Sequence, residues 1–308
     1  MSEHIAQKIS ERTGVPDMVQ LLSAMLSSSE LSSLLLEVYR QRSLHITPAA
    51  LLQQYRNNRF VQPAETDMVS SLEKELQVLK LLQTQHYWPL ELSPVAPFGS
   101  CSVVGTVNQN KIISAVRNTE VLADATNALA LHIADMRQRT NTDVISRYCT
   151  VQRHLRAVHL PQKGYSPHFK IACMVAAGRD TGNYAFEQIC LREQLLNIHM
   201  LLTEVFKVQE LYVIIQPRAG YTTGDHFMKV QQTSLADLPF EIQWKDAVAE
   251  NNYYKGLQFK VYIRLENSVA EIADGGFVDW TQQLMGNSKE RCLISGIGIS
   301  LLHTLQEK

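Results

Sequence analysis

The sequence predicts an α+β fold: a mainly antiparallel β-sheet flanked by helices, with a small helical appendage at its N-terminal end. Three observations carry this. Apolar residues recur at helical spacing over 67–85, 126–138 and 186–206. Strand-like runs are joined more often by turns than by single helices, which favours hairpins over parallel crossovers. A punctuated helical stretch precedes them, dividing the chain into an appendage, 1–62, and a core domain, 63–308.

In the appendage, Pro16 and Pro48 stand where a first helical turn tolerates proline, and Thr47 is a good N-cap. Leu31, Leu34, Leu35 and Val38 keep helical spacing, and Arg40, Arg42, Arg56 and Arg59 read as solvated arginines on helix faces. The helix over 67–85 carries one apolar stripe, Met68, Leu72, Leu76, Leu79 and Leu82, with Glu73, Lys74, Glu75 and Lys80 largely off it. Trp88–Pro94 is short, apolar and bounded by proline, as in an edge strand. Short strands are expected over 101–107, 111–116 and 119–123, then a helix over 126–138. Tyr148–Val158 and Phe169–Ala177 make a hairpin around the turn-rich LPQKGYSPH. The helix over 186–206 leads to a strand at Leu211–Ile215. Tyr253–Leu265 and Val269–Ala273 form another strand pair, Asp279–Met285 a short helix. CLISGIGISLLHTL closes the chain as strand, glycine turn and helix.

Composition narrows the function classes. A formal net charge of -1 advertises no bulk attraction to nucleic acid. Cys101, Cys149, Cys173, Cys190 and Cys292 are widely spaced, odd in number and without a CxxC pair. That speaks against a disulfide framework and a zinc site, and for a reducing compartment. MSEHIAQKISERTG lacks the apolar core of a signal peptide, and no uncharged apolar run approaches the roughly 20 residues of a membrane helix. The expectation is a cytoplasmic protein with no membrane partner.

Four stretches carry a resemblance: LADATNALAL, RAVHLPQKGYSPHFK, NNYYKGLQF and EIADGGFVDWTQQL. They lie within a fixed succession. A helix runs into a proline-ended strand (67–94), then comes a basic hairpin (148–177), and last a Gly-x-Gly strand–helix (296–303). In this order they resemble motifs 1, 2 and 3 of class II aminoacyl-tRNA synthetases. The nearest detailed likeness is to histidyl-tRNA synthetase and its paralogue, the regulatory subunit of ATP phosphoribosyltransferase, over Asp67 to Leu302. The resemblance implies a homodimer through the helix 67–85 and Pro94, and a pocket for ATP with magnesium. Arg156 matches the motif 2 arginine on the α-phosphate, and Phe169 the phenylalanine that stacks on adenine. Asp124 and Thr126 fall where the family receives the substrate's amino group. Tyr253, Tyr254 and Gly256 complete the pocket, with Lys255 beside them as a replacement cation. Read from the residues alone, Arg156 is a surface arginine paired to a carboxylate and Phe169 a core residue. On the same footing Asp124 or Thr126 caps a helix, and Lys255 is a solvated lysine.

The departures point away from charging. Leu301 replaces the motif 3 arginine, and Ala249 the arginine ahead of the tyrosine pair. Ile171 and Val175 stand at the family's substrate-binding glutamine and glutamate, Val158 at its adenine-side glutamate, and Phe277 at the arginine of a GGRYD-like segment. Each lost phosphate-site donor typically costs about 10² or more in rate. Few residues follow motif 3 here, and 217–250 is short for the family's insertion domain, so tRNA is not the expected partner. The expectation is a non-charging paralogue that binds a small amino-acid-like ligand or a protein partner. The alternative is an ATP-dependent ligase that activates a different amino or carboxylic acid for another acceptor. His154, His159 and His168 do not read as a metal site, since strand residues five apart point to opposite faces and no carboxylate or cysteine completes the set. AAGRDTGN (176–183) reads as a turn ahead of a helix rather than a phosphate loop.

Overall fold

The computed structural model describes residues 2–157, 166–221, 223–247, 253–266 and 268–306. Four helices come first: α1 (Ser2–Thr13), α2 (Met18–Gln20), α3 (Ser28–Ser43) and α4 (Pro48–Asn57). Ser27 and Glu30 close a capping box on α3, and Thr47 caps α4 ahead of Pro48. Helices α2 to α4 bury no residue, and the hydrophobic core clusters draw no member from this stretch. Two hydrogen bonds tie it to the core: Ser32 Oγ donates to Asn118 Oδ1 at 3.4 Å, and His168 Nε2 lies 2.7 Å from the Gln62 carbonyl.

Helix α5 (Met68–Thr84) starts at Asp67, whose carboxylate accepts from the Val69 and Ser70 N–H groups. Its predicted stripe divides. Ser71, Val78 and Leu82 are buried, while Met68, Leu72 and Leu76 are exposed together with Val69. The inward line is completed by Glu75, which accepts from Ser71 Oγ and pairs with Lys170. Neutralised this way, polar residues take core-facing positions and leave an apolar face outside. The edge strand is reduced to β1 (Trp88–Pro89).

Strands β2 (Val95–Pro97), β3 (Ser114–Ala115) and β4 (Thr119–Val121) form a separate small sheet in the order β2-β4-β3. The stretch expected as a strand over 101–107 is instead a π-helical turn at Ser100–Val104. The reason is Glu120. Its buried carboxylate accepts from the N–H groups of Gly99 at 2.9 Å and Cys101 at 3.1 Å, curling the backbone around it rather than along a neighbour.

Then follow α6 (Ala125–Thr140), β5 (Ser146–Leu155), β6 (His168–Arg179), α7 (Ala185–Met200) and β7 (Leu211–Pro217). Next come α8 (Gly224–Ser234) and β8 (Glu241–Trp244), neither foreseen, because α8 buries polar Gln231 beside Phe227 and so breaks the apolar rhythm. The chain closes through β9 (Lys255–Leu265), β10 (Ser268–Val278), α9 (Trp280–Met285), β11 (Glu290–Gly298) and α10 (Ile299–Gln306). The eight-stranded sheet runs β1-β5-β6-β11-β10-β9-β7-β8, antiparallel except at its two edge pairs.

Strand alternation gives this sheet two different faces. Cys149, Met174, Leu257, Phe259 and Ile297 belong to a core that includes residues of α5, α7, α8 and α10. Cys173, Val175, Ile294 and Val278 face the other way and pack with residues of α6 and α9. Among the described residues no helix is long and apolar enough to cross a membrane.

Candidate functional site

The second face of the sheet assembles most of the residues singled out by sequence. Asp124, in extended backbone, is the N-cap of α6, and its Oδ1 accepts from Thr126 N at 2.9 Å and Thr126 Oγ1 at 2.6 Å. Its other oxygen, Oδ2, accepts from the Tyr253 hydroxyl at 2.9 Å and lies 4.0 Å from an Arg156 nitrogen. One oxygen thus serves the helix cap, and the other faces Tyr253 and Arg156. Arg156, just past the end of β5, donates through Nε to the Ala123 carbonyl at 2.9 Å, and its guanidinium stands 5.6 Å from the Phe169 ring centre. Tyr253 meets Tyr254 edge-on, ring centres 4.8 Å apart, and Trp280 at 5.4 Å. Burial first, and then the adjoining Asp124 and Asp274 carboxylates, push both phenols well above their ordinary value, so they act as hydrogen-bond donors.

Two members of the cluster are not assigned to it by the sequence. His154 is fully buried opposite Phe169 in the β5/β6 ladder, and its Nε2 accepts from the Ala125 N–H at 2.8 Å. An accepting Nε2 places the ring proton on Nδ1, an atom with no partner among the described residues. Burial pulls its pKa down to about 4, so it serves α6 as a neutral second cap. Asp274 lies on β10 in one row with Gly296 and Cys173, and accepts from the Tyr254 hydroxyl at 2.9 Å. The signal for it was parity. Asp274 shares the strand face of Gly276 and Val278, so it is a lone acid on the sheet floor.

Positions where the family carries polar groups are apolar here, or turned away. Ile171 and Val175 share the face of Phe169 and pack in the core beneath α6. Leu301 and Phe277 pack into the opposite core. Val158, His159 and Ala249 lie outside the described residues. Lys255 does not join the cluster: it pairs with Phe277 in the ladder, on the first face, with its ammonium 3.4 Å from Asp279. There it lines a cleft of about 420 Å³ with Tyr221, Phe277 and Arg291. His154 and His168 sit on opposite faces of the hairpin, His168 beside Arg153. AAGRDTGN ends β6 and turns at Gly182, whose N–H donates to Asp180 at 2.8 Å.

Burial is also the main cause that raises the Asp274 carboxyl above its ordinary value; the Tyr254 hydrogen bond opposes it. A carboxyl raised in the folded state holds its proton more tightly there than in the unfolded chain. Its contribution to stability is complete below about pH 4 and is lost as pH rises through the folded value. Asp274→Asn removes that loss. Thermal melts are expected to show a gain of about 2–4 °C at pH 7, the scale of ~1 kcal/mol in a domain this size, shrinking towards pH 4. A drop at pH 7 would mean that the charge is compensated in solution.

No family model matches the sequence, and no curated protein matches it. Solved structures do. Apo histidyl-tRNA synthetase of S. aureus is similar over 80% of this chain and 68% of its own, at 13% identity and a TM-score of 0.62. An ATP phosphoribosyltransferase regulatory subunit/histidyl-tRNA synthetase of Bacillus halodurans C is similar over 79% of this chain and 82% of its own, at 12% identity and a TM-score of 0.59. Pyrrolysyl-tRNA synthetase of Desulfitobacterium hafniense is similar over 92% and 82%, at 12% identity and a TM-score of 0.51. At such identities the likeness is one of fold: a class II synthetase-like fold, shared with histidyl-tRNA synthetases and the regulatory-subunit type.

That fold family generally uses ATP and magnesium. The Phe169 ring with the Arg156 guanidinium over it offers a surface that suits a purine. At the phosphate end the described residues do not fit a triphosphate: Leu301 faces the opposite core, and Asp274 brings a carboxylate to the sheet floor. Like charges there repel rather than hold phosphate.

Proposed function

We propose that this class II synthetase-like chain does not charge tRNA, and that it binds a small amino-acid-like ligand as a cytoplasmic regulatory protein. The observation that carries the reading is the split character of the pocket. At the end that the resemblance gives to the substrate's amino group, Asp124, Thr126 and Tyr253 are in hydrogen-bond contact, while Ile171, Val175 and Leu301 are committed to cores. Binding an ammonium needs the first half, and transferring an adenylate needs both. The pocket then belongs to a core domain, 63–308, with 1–62 as a separate helical unit, and the core dimerises through α5. The exposed apolar face of α5, with Met68 at 68% and Val69 at 67% exposure, supports that pairing. The test is pyrophosphate exchange across the amino acids, run beside thermal melts with each. We expect no exchange and a raised Tm with at least one amino acid. Robust exchange with any of them sinks the reading.

Arg156 over Phe169 favours a second reading, an ATP-dependent ligase that activates a different amino or carboxylic acid for a non-tRNA acceptor. Calorimetric titration with ATP and magnesium separates the two. Heat that vanishes in Arg156→Ala supports the ligase, and its absence in the parent chain counts against it.

A further inference from the structure

Among the described residues the fully buried acids are answered by the protein, and the half-buried Asp274 is not. Glu120 receives backbone N–H groups and Gln109, Glu187 receives Tyr221 and Arg291, and Glu290 receives Arg137 and Arg179. Asp274 accepts a single hydrogen bond, from the Tyr254 phenol, and among the described residues no Lys, Arg or His comes within ion-pair distance of it. Lys260 stands opposite it in the β9/β10 ladder, yet gives its ammonium to Glu271 at 3.0 Å. A carboxylate set into a sheet floor without a cation is costly, and chains keep such groups where a ligand supplies the missing charge.

The surroundings are short of donors in the same sense. Asp124 Oδ2 faces the cluster with a phenol as its near partner and Arg156 at 4.0 Å, and that arginine is itself bonded to the Ala123 carbonyl. One turn further along the same face of α6, Asn127 is 1% exposed and lies against the turn at Ser100–Val104, donating to the Ser100 carbonyl at 3.4 Å. Its Oδ1 accepts nothing among the described residues. A Cβ built on Gly105 would lie 3.3 Å from both the Asn127 amide nitrogen and the Tyr253 ring, so this side chain stands near the tyrosine that holds Asp124. Tyr253 and Tyr254, in edge contact, hold one carboxylate each, so the two acids flank one aromatic pair.

We propose that the pocket selects an organic cation with two basic nitrogens, one received by Asp124 and the other by Asp274. The inference rests on the ligand-binding reading above and names the class of ligand. Asp274 is then the residue that sets specificity. It distinguishes a dibasic ligand from a neutral amino acid of the same length, because only the former brings a second ammonium to that carboxylate. Arg156, 41% exposed at its side chain, remains within reach of a carboxylate, so dibasic amino acids and plain diamines share the recognised chemistry.

The experiment is calorimetric titration of the full chain with two matched sets. Lysine, ornithine and arginine are compared with norleucine, and α,ω-diamines of three to five carbons with butylamine. The dibasic member of each set is expected to bind about tenfold tighter or more, the usual scale of one charge-assisted hydrogen bond. Tighter binding of lysine than of cadaverine identifies the amino acid as the source, and the reverse identifies the diamine. Asp274→Asn keeps an oxygen for the Tyr254 hydroxyl. It is expected to erase the dibasic preference, leaving each dibasic ligand no tighter than its monobasic counterpart. Equal affinity within each set in the parent chain overturns the inference, whether or not the variant folds, and so does a preference that survives Asp274→Asn. If norleucine binds without any dibasic preference, only this inference falls. If neither set binds, this inference falls, and the ligand-binding reading falls with it only if no amino acid raises the Tm in the melts above.

Discussion

Glu290→Ala is expected to cost about 3–5 kcal/mol of stability, the scale found when one partner of a buried ion pair is removed. Arg137 and Glu290 meet at 3.0 Å with side-chain exposures of 1% and 0%. Arg137 also donates to the Val144 carbonyl at 2.7 Å, and Arg179 reaches the same carboxylate at 3.4 Å. The pair therefore joins the last turn of α6 to the ends of β11 and β6. Deleting the carboxylate leaves a guanidinium in the interior with a backbone carbonyl as its chief partner. In a domain of this size the melting temperature is expected to fall on the order of 10 °C. Arg137→Met combined with Glu290→Leu is expected to recover most of the loss, since both buried charges then go together. A single substitution that costs less than about 1 kcal/mol, as at a surface pair, would show that water reaches this junction.

Gly276→Ala carries the second large effect, about 3 kcal/mol, the upper end of ordinary overpacking. A Cβ there would stand 2.5 Å from the Leu257 carbonyl and 2.7 Å from the Tyr254 ring, and the first of these is backbone in the next strand. Gly275 is as tight, 2.4 Å from the Phe259 ring and 2.5 Å from the Ile294 carbonyl. The adjacent glycines thus serve both faces of the sheet at once. Gly276→Ala also displaces Tyr254 from Asp274, so it is expected to weaken the pocket as well as the fold. Gly296→Ala is the control. Its Cβ would meet a side-chain tip, Ile171 Cγ2, at 3.1 Å, and is expected to cost about 1 kcal/mol in the same denaturant titrations.

Much of the architecture was legible because strands and helices here follow hydrophobic period and turn chemistry. The hairpin over β5 and β6, the helix over α6 and the strand–helix close are written in spacing that survives without tertiary help. The illegible parts are those where a polar residue took an inward position. Glu120 turned an expected strand into a π-helical turn, Glu75 inverted half of the α5 stripe, and Gln231 hid α8.

The sequence by itself determined which residues had chemistry to offer. Through the resemblance it carries, it points to Asp124, Thr126, Arg156, Phe169, Tyr253 and Tyr254, and the fold brings these to one face. Tertiary structure alone decided who joined them. Lys255 follows Tyr254 directly in the chain, yet it belongs to the opposite face, where it meets Asp279. Asp274 is twenty residues beyond Tyr254, and it is the group that Tyr254 touches. The physical reason is the pleat: neighbours along a strand part to opposite sides, and residues far apart in sequence are brought to one side by register.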